Sequence, residues 1–194
     1  QYIEGSFGDK ELMKLPNVRR WCEYAGDRLY AIRYRPHAMF GVSAHEDFRQ
    51  LGSYGTAPVW TDVKPGVGLF YKALPMAECY IDTDYVGFVD TVRRCFKRTA
   101  RQLEQQFGKA NLTPKMIEAL EKDKFNEEFE ILHTVRPNDE LQRGRLDYRG
   151  KPIASIYIAI GEKIILRRGG YYTMPITVSR HVTSPGEKYG RSPA

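Results

Sequence analysis

GFVDTVRRCFKRTARQLEQQFG, residues 87–108, is the stretch that decides the fold class. Its first half is rich in β-branched and aromatic residues, which is typical of a strand. Thr99 then stands where a helix N-cap belongs, ahead of ARQLEQQF, and Gly108 supplies the helix stop. Both faces of the predicted strand carry apolar and charged residues, so the sequence leaves open which face is buried.

Two helices are predicted before this stretch. Apolar residues recur at helical spacing after Pro16, and Pro36 interrupts them because proline lacks the N–H that a helix interior needs. The same spacing predicts a second helix over residues 37–51, with Gly52 and Gly55 as its stop.

Strand patterns dominate the rest of the chain. They are APVWTDV, GVGLFYKAL, ECYIDTD, FEILHTVRP, PIASIYIAI, KIILRR and MPITVSRHV, with one further helix, KMIEALEKD, after Thr113 and Pro114. The order of helices, strands, helices and strands predicts an α+β fold of mainly antiparallel sheets with flanking helices. We expect an N-terminal helical segment over residues 1–55 and an α+β domain over residues 56–194.

The charge balance is mildly basic, with 30 lysines and arginines against 24 acidic residues and a formal net charge of +6. This excess is compatible with a cationic face for nucleic acid and equally with an ordinary soluble surface. Weak contact with DNA or a partner is predicted for the densest basic run, and a general electrostatic surface is the alternative. The run comprises Arg93, Arg94, Lys97, Arg98 and Arg101.

No catalytic, cofactor or metal motif is present in the sequence. The 3 cysteines form no CxxC pair, the 4 histidines lack metal-ligand spacing, and no glycine-rich phosphate loop occurs. Asp82 and Asp84 flank a turn, where solvated turn residues are favoured over a divalent cation site. No apolar run is long enough to cross a bilayer. The sequence predicts a protein that is not an enzyme, holds no cofactor and does not enter a membrane.

Four blocks of sequence, in this order, resemble the head-to-tail connecting (portal) proteins of short-tailed bacteriophages. They are HAMFGVSAHEDFRQLGSYGTAPVW (37–60), ALPMAECYIDTDYVGFVDTVRRCFKRTARQLEQQFG (73–108), HTVRP (133–137) and GGYYTMPITVSRHVTSPGEKYGRSP (169–193). His181 and Ser192 depart from the last block, which usually has an aromatic residue and a glycine at these positions.

The resemblance implies a structural subunit of a ring, usually a dodecamer, at one vertex of the capsid. Double-stranded DNA would pass through the ring, and the terminase motor and then tail or adaptor proteins would attach to it. The chain starts without methionine and ends on a turn-rich block. We expect it to be the wing region of a longer polypeptide, truncated before the stem and clip.

The resemblance also implies a role for the last block, which would turn the chain from the wing into the stem. The predicted turn residues are Gly186, Glu187, Tyr189, Gly190, Arg191 and Pro193. Tyr189 and Arg191 are expected to anchor the turn to the domain.

A second hypothesis is a small, non-catalytic nucleic-acid-binding module. It would use the basic run together with the aromatic rings of Tyr85, Phe88 and Phe96. Tight, salt-dependent DNA binding would favour this module, whereas ring-shaped particles would favour the portal subunit.

Overall fold

The computed structural model describes residues 5–64, 66 and 68–193. Its α-helices are α1 (Pro16–Arg33), α2 (Phe40–Tyr54), α3 (Ala100–Phe107) and α4 (Pro114–Glu121). Its strands are β1 (Thr56–Lys64), β2 (Gly68–Ala73), β3 (Cys79–Thr83), β4 (Val89–Thr99), β5 (Glu128–Pro137), β6 (Ile153–Ala159), β7 (Ile164–Tyr171) and β8 (Ile176–Arg180). All strand pairs are antiparallel. The predicted α+β class is confirmed.

The helical segment at the N-terminal end differs from the prediction at both ends of α2. Residues Pro36–Ala38 form a 3-10 turn, and Met39 has a left-handed backbone with φ of 57°. The prediction that α2 starts at residue 37 was therefore wrong, because the helix begins only after Met39. The helix ends at Gly55, whose φ of 70° suits glycine, while Gly52 stays inside the helix.

The strands form two sheets. The larger sheet is a five-stranded meander in the order β3-β4-β5-β6-β7. The smaller sheet has the order β2-β1-β8, so its central strand β1 pairs with a neighbour in sequence and with the last strand of the chain. The boundary predicted between residues 55 and 56 coincides with the step from α2 to β1, and the division into two domains stays a prediction.

The two short helices follow the capping signals in the sequence. The Thr99 hydroxyl accepts a hydrogen bond from the Gln102 N–H, and the Gln102 side chain accepts one from the Thr99 N–H. Thr113 caps α4 in the same way, by accepting from the Met116 N–H. These caps satisfy N–H groups that have no partner within the helix, so each helix starts at a defined residue.

The inner face of the larger sheet is covered by two different partners. One part packs against α3 and α4, through Phe96 and Ile131 of the sheet and Leu103 and Met116 of the helices. The other part packs against the smaller sheet, where Val92 and Val135 share a core with Ile176. Trp60 of β1 contacts both cores. The two covers meet in the middle of the sheet.

Candidate functional site

The C-terminal segment, defined as residues 181–193, lies against the junction between α2 and β1. The Gly190 N–H donates to the Thr56 hydroxyl at 2.8 Å, and the His181 N–H donates to the Gly55 carbonyl at 2.9 Å. The Ser192 hydroxyl donates to the Gly52 carbonyl at 2.8 Å. The segment is therefore held by backbone and hydroxyl groups on both sides of the helix-to-strand step.

Two glycines allow the backbones to approach this closely. A Cβ atom on Gly190 would lie 2.1 Å from the Gly55 carbonyl oxygen, and one on Gly55 would lie 2.2 Å from the carbonyl carbon of Arg191. Both distances are far below van der Waals contact, and the opposing atoms belong to the backbone, which cannot rotate away. The close approach of the two backbone segments therefore requires glycine at both position 55 and position 190.

Side chains of the segment reach the edge of the larger sheet. The phenol oxygen of Tyr189 accepts a hydrogen bond from the Ile81 N–H at 3.2 Å. The Lys188 ammonium pairs with the Asp82 carboxylate at 2.8 Å. The predicted contact of Tyr189 with the domain is thus present, and it ties the segment to β3.

The Arg191 side chain is placed differently. Its guanidinium pairs with Glu187 at 2.6 Å, inside the same segment, and this hydrogen bond holds the pKa of the Glu187 carboxyl below its usual value. The Arg191 backbone N–H donates to the Val182 carbonyl, also inside the segment, and its backbone carbonyl group faces Gly55 of the domain. Gly186 has φ of 86° and shapes the turn, and Pro193 is exposed. The side chain of Arg191 therefore stabilises the turn rather than anchoring it.

The predicted basic run does not share one surface. Arg93 and Lys97 lie on the outer face of β4 and are exposed, and Arg101 is exposed on α3. Arg94 lies on the inner face, 4% exposed, and pairs with Glu78 at 2.7 Å. Arg98 is half-buried on the same face, since residues two apart on a strand point the same way.

A row of polar side chains crosses the inner face of the larger sheet. Register places Arg94 of β4 beside His133 of β5, His133 beside Tyr157 of β6, and Tyr157 beside Arg167 of β7. The His133 and Tyr157 rings stack with their centres 3.9 Å apart. This inner polar row lies where the two covers of the sheet meet, between the apolar cores.

His133 is a hydrogen-bonded residue of the core. It is 1% exposed, and its Nε2 lies 2.9 Å from the Ser155 hydroxyl. Burial and the nearby Arg94 guanidinium lower the pKa of His133 to about 3. The imidazole is therefore neutral in the folded protein at any physiological pH.

This histidine should make the protein acid-sensitive. In the unfolded chain His133 titrates near its ordinary pKa of 6.5, so the unfolded state binds an extra proton below that pH and the folded state does not. We expect the free energy of unfolding to fall by about 2 kcal/mol between about pH 7.5 and pH 5. Urea denaturation at the two pH values measures this loss.

His133→Gln is the control, because glutamine can still bond to Ser155 and does not titrate. Its stability should change much less over the same interval. An equal loss of stability in both proteins would show that other groups cause the acid sensitivity.

A cleft of about 880 Å³ opens beside the inner polar row, between the smaller sheet, the larger sheet and α3. We name it the inter-sheet cleft. Arg94, Arg98 and Arg167 line it from the larger sheet, and Trp60 and Lys72 line it from the smaller one. Two members of the predicted basic run thus face a cavity, while the exposed members of that run face solvent.

Within the described residues, no group of three or more His, Cys, Asp or Glu side chains is arranged to hold a metal ion. Asp82 pairs with Lys188, and Asp84 Oδ1 accepts three N–H groups from residues 86–88. Asp84 therefore stabilises the turn before β4, whereas Asp82 holds the C-terminal segment through Lys188. No helix in the described ranges is both long and apolar enough to span a membrane.

Comparison with known protein families identifies the family of this chain. A family model described as bacteriophage head to tail connecting protein matches residues 1–194. The chain belongs to the bacteriophage head to tail connecting protein family. The resemblance of the four sequence blocks is thereby confirmed.

Two curated relatives of this connector chain are portal proteins. The portal protein of Salmonella phage epsilon15 is 24% identical over 186 residues, which cover 95% of this chain and 33% of that protein. The probable portal protein of Bordetella phage BPP-1 is 26% identical over 152 residues, covering 77% of this chain and 27% of that protein. The connector chain therefore spans about a third or less of the length of these relatives.

The sequence alone does not identify several residues of the inter-sheet cleft and of the contact between the C-terminal segment and β1. Lys64, Lys72, Lys151 and Arg167 of the inter-sheet cleft come from three separate parts of the chain, and no spacing rule joins them. Thr56 directly follows the helix-stopping Gly55, and a hydroxyl in that position is a usable signal for a contact at the helix end. Tertiary pairing of β1 with β8 is what brings Thr56 to Gly190.

Proposed function

We propose that this chain is the wing region of a portal subunit, a non-catalytic structural protein of the head-tail connector. The observation that carries the proposal is the match of the connector family over residues 1–194. The full-length subunit would form a closed ring, a dodecamer in the usual case, at the portal vertex of the virion after assembly in the host cytoplasm. Double-stranded DNA would pass through this ring during packaging and ejection.

Exposed apolar surface on the N-terminal helices supports assembly. On α1, Trp21, Tyr24 and Leu29 are 60%, 59% and 57% exposed in the isolated chain. Exposed aromatic residues clustered on one element mark interaction surfaces, because leaving them in water is unfavourable. A ring uses contacts between two different faces of each subunit, and α1 would supply part of one face.

The docked C-terminal segment supports a mechanical role. It is hydrogen-bonded to the α2–β1 junction and to β3, so a polypeptide that continues beyond it leaves the domain from a fixed position. In the proposed subunit this is where the wing passes into the stem. The terminase motor and the tail or adaptor proteins would bind to stem and clip segments outside residues 1–194.

The second hypothesis, a free-standing nucleic-acid module, has less support. Its stacking residues do not form a platform, because Phe96 is buried in a core while Tyr85 and Phe88 are exposed in the turn before β4. Its basic residues point to opposite faces of β4. Stacking and electrostatic contact along one strand of nucleic acid need these groups on one surface.

Ring assembly should depend on Tyr189 and Arg191 in the full-length subunit. Tyr189→Ala removes the bond to Ile81, and Arg191→Ala removes the pair with Glu187, so the exit direction of the chain is no longer held. We expect both variants to lose most ring formation. The free energy of unfolding of the isolated wing, followed by thermal melts, should fall by only about 1 kcal/mol. Light scattering of full-length protein reports the ring.

Arg191→Lys is the matched control, because lysine can keep the ion pair with Glu187. The full-length Arg191→Lys variant should therefore still form rings. The unaltered chain of residues 1–194 should remain monomeric or weakly associating at micromolar concentration, since the stem and clip contacts are missing. A stable ring from this chain alone, or normal rings from both alanine variants, would contradict the proposal.

A further inference from the structure

Positive charge dominates the lining of the inter-sheet cleft. Among the described residues, six cationic side chains line it: Lys64, Lys72, Arg94, Arg98, Lys151 and Arg167. Among the described lining residues, Asp62 is the one that has a carboxylate. Its Oδ2 already accepts a hydrogen bond from the Tyr171 hydroxyl at 3.1 Å. The lining of the cleft therefore has six positive charges against one carboxylate.

Most of these cations have no carboxylate partner among the described residues, although Lys64 lies over the Phe70 ring, Arg98 over Phe96 and Lys151 over Tyr172. Within the described part of the chain, Arg94 is the one member of the six that forms an ion pair, with Glu78. Lys72 is half-buried, and burial together with Arg94 and Arg98 lowers its pKa to about 8. Like charges held together in a partly desolvated site are unfavourable, and a bound anion relieves that cost.

The neutral groups of the cleft suit a small polar ligand. Gln105 and Gln106 of α3 supply amide donors, and Tyr172 supplies an exposed ring at the rim. Trp60 also lines the cleft, and its buried Nε1–H finds no acceptor among the described residues. The volume of about 880 Å³ falls in the range of small-molecule sites and is too small for a DNA duplex.

We propose that the inter-sheet cleft binds a compact phosphate-bearing anion, with Arg98 and Arg167 as its principal contacts. A guanidinium group presents paired N–H donors that match two phosphate oxygens, which a lysine ammonium cannot do. Lys72 adds a point charge from the opposite sheet. This ligand site lies apart from the docked C-terminal segment and does not depend on ring formation.

Isothermal titration calorimetry of this chain with sodium tripolyphosphate at low ionic strength tests the proposal. We expect saturable binding of one anion per chain, and at least about tenfold weaker binding after Arg98→Gln or Arg167→Gln. Lys97→Gln is the matched control, because it removes the same charge from the next residue of β4 on the outer face. Thermal melts confirm that each variant is folded.

Two further ligands distinguish the source of the phosphate. A short single-stranded oligothymidylate that displaces tripolyphosphate would identify a nucleic-acid strand, and displacement by a free nucleoside triphosphate alone would identify a small metabolite. Either result supports a phosphate site. Absence of tripolyphosphate binding, an equal loss with Lys97→Gln, or binding of polyglutamate without binding of any phosphate compound would overturn it.

Discussion

Gly190→Ala should release the C-terminal segment and lower the free energy of unfolding by about 3 kcal/mol, which for a chain of this size shifts Tm by roughly 6–12 °C. The new Cβ would stand 2.1 Å from the Gly55 carbonyl oxygen. Since that oxygen belongs to the backbone, the clash can be relieved only by separating the two segments. The hydrogen bonds from Gly190 and Ser192 would then be lost together.

Hydrogen exchange should locate the damage. Amides of residues 181–193 are expected to lose protection in the Gly190→Ala variant, while amides in β4 and β5 keep theirs. Gly55→Ala should act at the same place and at least as strongly, because alanine at φ of 70° adds backbone strain of about 1 kcal/mol to the clash.

Two other glycines separate the possible causes. Gly52→Ala should be neutral or slightly stabilising, because Gly52 lies inside α2 and nothing stands within 4 Å of its added Cβ. Gly186→Ala tests strain alone, since φ is 86° and the surrounding space is open. A Gly190→Ala chain as stable and as protected as Gly52→Ala would show that the close approach does not hold the segment.

Glu78→Ala should be the other strongly destabilising substitution, with an expected loss of at least about 3 kcal/mol of stability. Arg94 is 4% exposed, and Glu78 Oε2 accepts hydrogen bonds from Arg94 Nε at 2.8 Å and from Arg94 Nη2 at 2.7 Å. Without the carboxylate, a guanidinium remains buried beside Phe96 and His133 with no counter-charge. Urea denaturation near neutral pH measures the loss.

Substitution of the partner, Arg94, should lower the free energy of unfolding by less. Arg94→Met keeps much of the side-chain volume and leaves behind Glu78, whose side chain is 33% exposed and can be hydrated. We expect a loss of about 1–2 kcal/mol for Arg94→Met, and recovery of most of the stability when Arg94→Met is combined with Glu78→Ala. Equal losses for the two single variants would mean that burial of the unpaired charge is not the cause.

Local signals in the sequence were sufficient for the fold class. Thr99 predicts where β4 ends and α3 begins because a cap acts on residues within one helical turn. The turn around Gly186 was predicted for a similar reason, since glycine and proline act on their own backbone. The predicted start of α2 was wrong because the side chain of Met39 does not indicate a left-handed backbone conformation. The surrounding packing imposes that conformation.

The site depends on information that is not local. Alternation along β4 predicts that Arg94 and Arg98 share a face, but it cannot predict that this face is the inner one. Burial on that face places Val92 and Phe96 in the apolar cores, and Glu78, from the turn before β3, supplies the counter-charge for Arg94. The inter-sheet cleft likewise needs the packing of two sheets, and no pattern within one strand reports it.

The pairing of β1 with β8 also affects how the chain reaches its folded state. The Thr56–Gly190 hydrogen bonds join residues separated by 134 positions. Contacts between residues so distant in sequence form slowly, because a long loop must close before they contribute. During synthesis, β1 leaves the ribosome long before its second neighbour in the sheet has been made, so one edge of β1 stays unpaired over that interval. An unpaired edge can join other chains, and this hazard lasts until residues 176–180 have been made and have paired with β1.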